Sequence, residues 1–333
     1  MIVLGRSTSA FAQAGSATLT GIIQDQSGAA LPGAAVEVTG LETNLSRSAV
    51  TTRAGVYAFA GLPSATYRVR VMLAGFRPVI RDAVQLQTGQ TMRLDIELVV
   101  GNVSETLTVT GALPILRAES SSLGQVVDHD KIVQLPLNGR SFIALASLAP
   151  GVAVPPGSQL PRINGGRPRT NEYLFDGISV LQPEPGQVAF FPVVDAIQEF
   201  KIESNSPPAE FGRFNGGVVN LTTKAGSNTF HGVGFEFLRN ETLNAKHVFA
   251  SADPVKPMFR RNQFGGTLGG PILKDRTFFF LDYQGQRQTI GRTVISTVPT
   301  LLQRRGVFTE LIGGRVPIIY DPSTTTVTDD GAF

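Results

Sequence analysis

Few side chains in this chain are of the kinds that make or break bonds, and their spacing does not suit them for it. The histidines are three, His129, His231 and His247, scattered along the sequence, and cysteine is absent. A thiolate zinc site, a Cys nucleophile and a disulfide framework are therefore excluded, and little remains for a histidine metal site. No carboxylate pair stands out for glycoside hydrolysis, and no Ser/His/Asp set has a supporting local motif. A Gly-x-x-x-x-Gly-Lys-Ser/Thr phosphate loop is missing. The expectation is a protein that is not an enzyme, with no catalytic residue, no metal and no cofactor. Residues 256 to 305 hold nine Lys or Arg against Asp275 and Asp282. Nucleic acid would use such a cluster for phosphate contact. The pattern lacks an aromatic stacking module or helix-turn-helix, and turn or lumen positions explain it more simply, so no nucleic-acid partner is expected.

Composition bounds the elements that carry these residues. Of 333 residues, 17% are charged and 42% hydrophobic, with a net charge of +3. The charge is low against roughly 25% for an average domain, and the apolar content is enough to bury a core. Aromatic usage is lopsided, with 21 Phe, 5 Tyr and no Trp. Ala10-Phe11-Ala12 has the small-x-small form of a signal-peptidase site, but the apolar stretch before it is short and lacks a basic start. Residues 1–14 read as the remnant of a secretory signal. No apolar run reaches the 18 or so residues of a membrane helix, which says nothing against a transmembrane β-barrel.

From residue 15 to 101 the pattern is strand after strand. Thr18–Ile23, Ala35–Val38, Val56–Phe59 and Tyr67–Val71 alternate, with Asp25-Gln-Ser-Gly28 supplying turn chemistry. A last strand places Met92, Leu94, Ile96 and Leu98 on one face. Short strands at this spacing predict a small antiparallel sandwich. The pattern Gly55-x-Tyr57-x-Phe59, Leu62-Pro63, Tyr67-x-Val69-x-Val71 and Gly75-Phe76 resembles the carboxypeptidase regulatory-like domain, a transthyretin-like sandwich with no peptidase site. Its aromatic residues read most simply as core, with a sugar-binding role for Tyr57 or Tyr67 as the alternative.

Residues 102–119 form a linker containing Glu105, Thr106, Leu107, Thr108 and Val109, an extended, β-branched segment flanked by glycines. Such a segment can add to the sheet edge of another protein, or it can be one more strand of its own fold. Residues 120–227 change character. Asp128 is placed to cap a helix ending before Pro136, and Ser141–Leu148 reads as a short helix stopped by Pro150-Gly151. Arg162–Gly166 and Tyr173–Val180 read as strands joined by polar turns. Val193–Glu203 reads as a helical turn followed by a strand, and Val218–Lys224 as a further strand. Asp176-Gly177-Ile178, Ile197-Gln-Glu199-Phe200-Lys201-Ile202 and Glu210-Phe-Gly212, followed by Gly216-Gly-Val-Val-Asn220-Leu-Thr-Thr-Lys224, resemble the plug of TonB-dependent outer-membrane receptors. Leu135-Pro-Leu-Asn-Gly-Arg140 is similar to the Oar-like subgroup of that family, which carries an N-terminal regulatory-like sandwich. Phe211, where the family has Tyr, and Lys201, where it has an acid, are departures. By this resemblance Glu105–Val109 is similar to the TonB box.

Residues 228–333 alternate with aromatic residues. Val233, Phe235 and Phe237 share one face, as do Phe264, Leu268 and Ile272. Phe279, Leu281 and Tyr283 are expected to point outward, opposite Asp282, Gln284 and Gln286. Apolar-out and polar-in alternation is what lipid on one side and a wet lumen on the other require, although a soluble antiparallel sheet gives the same pattern. About 106 residues follow Ser227, whereas a plugged transporter barrel needs about 22 strands. The barrel is therefore expected to be incomplete, the chain reading as an N-terminal fragment. The fold expectation is mainly β: a transthyretin-like sandwich, an α+β plug and the first strands of a transmembrane barrel. The resemblance implies an outer-membrane receptor with its N-terminal domain in the periplasm, in contact with outer-membrane lipid, TonB and an unidentified extracellular ligand. The alternative is a periplasmic or surface module whose sandwich binds carbohydrate or protein.

Overall fold

The computed structural model describes residues 16–101, 107–110 and 123–309, apart from 138, 156–157, 159, 183–185, 208–210, 213, 246–255, 292–295 and 297. The signal remnant, most of the linker, His247 and the last residues lie outside them. The described residues form two compact units, one running to Phe237 and including Asn262–Gln286, the other made of Leu238–Arg261 and the residues from Arg287 on.

The N-terminal sandwich has strands β1 (Ala17–Asp25), β2 (Ala35–Gly40), β3 (Ser46–Val50), β4 (Val56–Leu62), β5 (Ala65–Met72), β6 (Val79–Leu86), β7 (Thr91–Arg93) and β8 (Ile96–Leu98), with a further strand β9 (Leu107–Thr110) from the linker. One sheet runs β4-β1-β7 with β8 also on β1, and the other runs β3-β2-β5-β6-β9. The period-two alternation puts Leu19, Val36, Val38, Phe59, Val69 and Val71 into a shared core. The expected antiparallel sandwich is in fact mixed, because β7 and β8 run parallel to β1, and β9 runs parallel to β6. The strand expected over 92–98 is broken at Leu94-Asp95. There Tyr57 Oη donates to Leu94 O at 2.6 Å and Ile22 N to Asp95 Oδ1 at 2.9 Å. A glycine is needed opposite this break: a Cβ on Gly21 would sit 2.0 Å from Leu94 O. Tyr57 and Tyr67 are 2% and 5% exposed, and Tyr67 Oη donates to Pro63 O at 2.8 Å. Both are core residues with their hydroxyls spent inside, and neither offers a sugar platform.

The middle domain contains β10 (Leu123–Asp128), α1 (His129–Gln134), a 3₁₀ helix over Phe142–Leu148, β11 (Val152–Ala153), β12 (Arg162–Ile163), β13 (Glu172–Phe175), β14 (Ile178–Ser179), a 3₁₀ turn over Val194–Ala196, β15 (Ile197–Asn205) and β16 (Val218–Thr223). Its sheet order is β10-β15-β16-β13-β14, with β11 and β12 paired apart from it. Asp128 caps α1 as expected, accepting from Lys131 N at 3.0 Å. Asp176 and Gly177 both have positive φ, 46° and 82°, between paired residues Phe175 and Ile178, which is the backbone of a tight two-residue hairpin turn. Helix α1, the first 3₁₀ helix and the sheet enclose Ile132, Phe142, Ile143, Tyr173, Phe200 and Ile202.

Three long strands follow, β17 (His231–Asn240), β18 (Phe259–Leu273) and β19 (Thr277–Ile290), in a sheet of that order. On β18 and β19 the expected faces hold: Phe264 packs with Tyr283, their ring centroids 6.5 Å apart, while Gln263 Nε2 donates to Gln286 Oε1 at 3.0 Å. On β17 the lipid-facing reading is corrected. Phe235 and Phe237 each lie 4.3 Å from the Arg140 guanidinium, so this aromatic face looks toward the middle domain. A guanidinium largely withdrawn from water regains from ring faces part of what it loses in hydration. In the second unit, Glu241 Oε2 accepts from Phe259 N at 3.2 Å, and a short helix α2 (Leu301–Arg304) begins with a capping box at Thr300.

Candidate functional site

Of the five residues expected to meet TonB, Glu105 and Thr106 lie outside the described residues. Leu107, Thr108 and Val109 belong to β9, whose backbone pairs with β6 in the register Val79 to Leu107, Ile80 to Thr108 and Arg81 to Val109. The segment is thus a strand of its own sandwich, and among the described residues it is the terminal strand of the sheet. These are two properties the linker pattern left open.

The strand that holds β9 leads directly to the middle domain. Two and three residues past the end of β6, Thr88 and Gly89 form a turn that meets β15. Glu199 Oε1 accepts from Ser64 Oγ at 2.7 Å, from Thr88 Oγ1 at 2.5 Å and from Thr88 N. Thr88 Oγ1 also lies 2.7 Å from Thr222 Oγ1 on β16. Lys201 Nζ donates to Gly89 O at 3.0 Å and pairs with Glu203 at 2.6 Å. A bulge between Ile197 and Glu199 lets Ile197, Phe200 and Ile202 all enter the apolar core. Glu199, Lys201 and Glu203 are turned to the opposite side. Although charged, these three are only 5%, 8% and 2% exposed, because the sandwich turn covers Glu199 and Lys201. Burial of charge at this level requires paired, hydrogen-bonded partners; the turn supplies them for Glu199 and Lys201, and Lys201 supplies one for Glu203. Lys201, the departure from the family pattern, has its partners in Gly89 and Glu203. Sequence reasoning missed this junction; the available signal was Glu199-x-Lys201-x-Glu203 on a strand flanked by core segments.

A second contact joins the sandwich to the long strands. Asn44 Nδ2, in the β2–β3 turn, donates to Asp275 Oδ1 at 2.9 Å. Asn228 Nδ2 donates to the same oxygen at 2.7 Å, and Asn228 N to Glu42 O at 2.9 Å.

Within the middle domain, Arg140 pairs with Asp195, their side chains 10% and 11% exposed. Arg140 closes the Leu-Pro-Leu-Asn-Gly-Arg motif, and Gly139 O accepts from Gln263 Nε2 at 3.4 Å. His129 Nδ1 lies 2.8 Å from Ile197 O, which can only accept, so that nitrogen carries the proton. Its Nε2 then accepts from Lys224 Nζ at 2.9 Å. Burial, with the Lys224 charge beside it, holds His129 below the ordinary imidazole value. Burial also lowers Lys224, opposed by Asp195 and Asp130. Asp176 accepts from Thr223 N at 2.9 Å and Thr223 Oγ1 at 2.6 Å, so the Asp-Gly motif ties the hairpin turn to β16. A cavity of about 610 Å³ is lined by Ser158, Leu160, Pro168, Arg169, Gln187, Val188 and Phe191. Among the described residues no group of three or more His, Asp or Glu is placed to hold a metal ion.

Comparison with known proteins follows the same divisions. The family described as carboxypeptidase regulatory-like domain matches residues 18–99, and that described as outer membrane beta barrel domain matches 222–332. The TonB-dependent transporter Oar of Myxococcus xanthus is 33% identical over 294 residues, which is 83% of this chain and 27% of that protein. The chain therefore spans about a quarter of this relative's length. Among solved structures, the siderophore receptor PirA of Acinetobacter baumannii is 21% identical over 51% of this chain and 25% of its own, with a TM-score of 0.39. The outer membrane transporter YddB of Escherichia coli is 19% identical over 50% and 26% respectively, with a TM-score of 0.40. The barrel family and the Oar relationship place the protein in the outer membrane with its N-terminal sandwich in the periplasm. With a regulatory-like domain followed by outer-membrane barrel residues, and similarity to Oar running through both, the chain is similar to the TonB-dependent outer-membrane transporters of the Oar kind.

Proposed function

We propose that this chain acts in TonB-dependent uptake of an extracellular ligand across the outer membrane. In this reading residues 15–101 are the periplasmic sandwich, 102–119 the linker with the TonB box, 120–227 the plug and 228–333 barrel. Ligand binds from outside, TonB pairs with the box in the periplasm, and energy from the inner membrane displaces or remodels the plug. The observation that carries the reading is the 33% identity to Oar, which extends over 83% of the chain rather than resting on one domain. The partner contacts are assigned to Glu105, Thr106, Leu107, Thr108 and Val109.

The test is binding of a purified TonB C-terminal domain to the full chain and to its Leu107→Pro variant. Proline removes a backbone N–H and fits poorly within a paired strand. Loss of about tenfold or more in affinity supports the assignment. Equal affinity rejects it.

A further inference from the structure

Resting on the box assignment above, we infer that the sandwich is the mount on which the box meets its partner. A strand of TonB adds to the outer edge of β9 while β9 stays paired with β6, extending the sheet β3-β2-β5-β6-β9 by one strand.

Three observations lead there. First, β9 already has one satisfied edge, paired with β6 at four successive positions, and among the described residues it ends the sheet on the other side. A terminal strand offers a row of backbone donors and acceptors that only another extended backbone can match. Second, a box held extended has already given up backbone freedom, so a partner strand does not have to order it on binding. Third, β6 is connected to the plug in a way that gives the arrangement a mechanical use. Its chain continues to Thr88 and Gly89, which hold Glu199 and Lys201 of β15. Because β9 and β6 are parallel, tension along β9 loads their ladder in shear, all bonds together, rather than opening it one bond at a time. Pull on the box is then passed through β6 and the Thr88 turn to the plug strand. The flexible alternative, in which the box must leave β6 before it is bound, breaks that path.

The absence of native cysteine makes a direct test available. Ile80 and Thr108 are opposite one another in the ladder, and Ile80 is outside the sandwich core. Adjacent strands lie about 4.8 Å apart, a spacing a disulfide spans. The full chain carrying Ile80→Cys and Thr108→Cys is oxidised, and its affinity for the TonB C-terminal domain is compared with the reduced form and the unsubstituted chain. The expected result is ready disulfide formation and oxidised affinity within about twofold of reduced. Failure of the pair to cross-link overturns the docking of β9 on β6. Binding by the reduced form with a loss of tenfold or more on oxidation overturns the inference but leaves the box assignment standing. Absence of binding by all three, including the unsubstituted chain, removes the box assignment and the inference with it.

Discussion

Thr88 gives both its backbone N–H and its hydroxyl to one oxygen of Glu199, and the two residues belong to different domains. Ser64 Oγ donates to the same oxygen, so a single carboxylate gathers three donors from two sandwich loops. Glu199→Ala leaves these donors without their acceptor at a buried position, at a cost of about 1–3 kcal/mol for each one that water cannot reach. Amide hydrogen exchange at Thr88 in the full chain is expected to accelerate accordingly. Unchanged exchange at Thr88 would show that the junction holds by other means.

The histidine on α1 makes plug stability depend on pH. His129 titrates below its ordinary value of 6.5 in the folded protein, because burial disfavours the charged ring and protonating it would set a second cation 2.9 Å from Lys224 Nζ. The unfolded chain therefore binds the proton first. The contribution is complete above 6.5 and is lost as pH falls through the lower folded value. Denaturant melts of the full chain should show stability declining on acidification below 6.5, with a shallower decline for His129→Gln. Identical slopes for both proteins would remove His129 as the cause.

Arg140 serves an ion pair and two aromatic rings at once. Arg140→Ala leaves Asp195 buried without its cation, which costs about 3–5 kcal/mol. Restoring neutrality with Asp195→Asn should recover part of that loss in the double variant. The comparison is made by thermal melts of the three variants. A double variant no more stable than Arg140→Ala would mean that the ring contacts with Phe235 and Phe237, not the charge pair, carry the effect.

In the sandwich, Tyr57→Phe removes only the hydroxyl that meets Leu94 O at 2.6 Å. The carbonyl at the break between β7 and β8 is left unpaired, and the expected loss is about 1–3 kcal/mol. Circular-dichroism melts of the full chain measure it. A change below about 0.5 kcal/mol, typical of an ordinary surface substitution, would mean that water reaches the carbonyl.

Much of this architecture can be read from alternation and turn chemistry. The buried faces of β1, β2, β4 and β5 and the Asp128 cap depend on residues close in sequence, and each is found where local rules put it; the Asp176-Gly177 turn interrupts what reads as one strand. Strand β3, whose residues Ser46–Val50 are mostly exposed, has no buried alternation to reveal it. The parallel pairings of β7, β8 and β9 depend on which distant strand lies alongside, and local pattern does not encode that. The same limit explains β17, where the ring faces of Phe235 and Phe237 are claimed by Arg140, almost a hundred positions earlier in the chain. At the candidate site, the extended character of Leu107–Val109 was legible. Its docking on β6, and the burial of Glu199 and Lys201 beneath a loop of another domain, were not. Alternating charges on a strand read as a solvated face until a partner that satisfies them is seen.

The most direct measurement is amide hydrogen exchange across Leu107–Thr110 in the full chain, with and without the TonB C-terminal domain. The expected result is that amides of β9 facing β6 are protected in both samples, and those facing away become protected only when TonB is added. Unchanged exchange throughout this segment, under conditions where TonB is bound, would contradict the account.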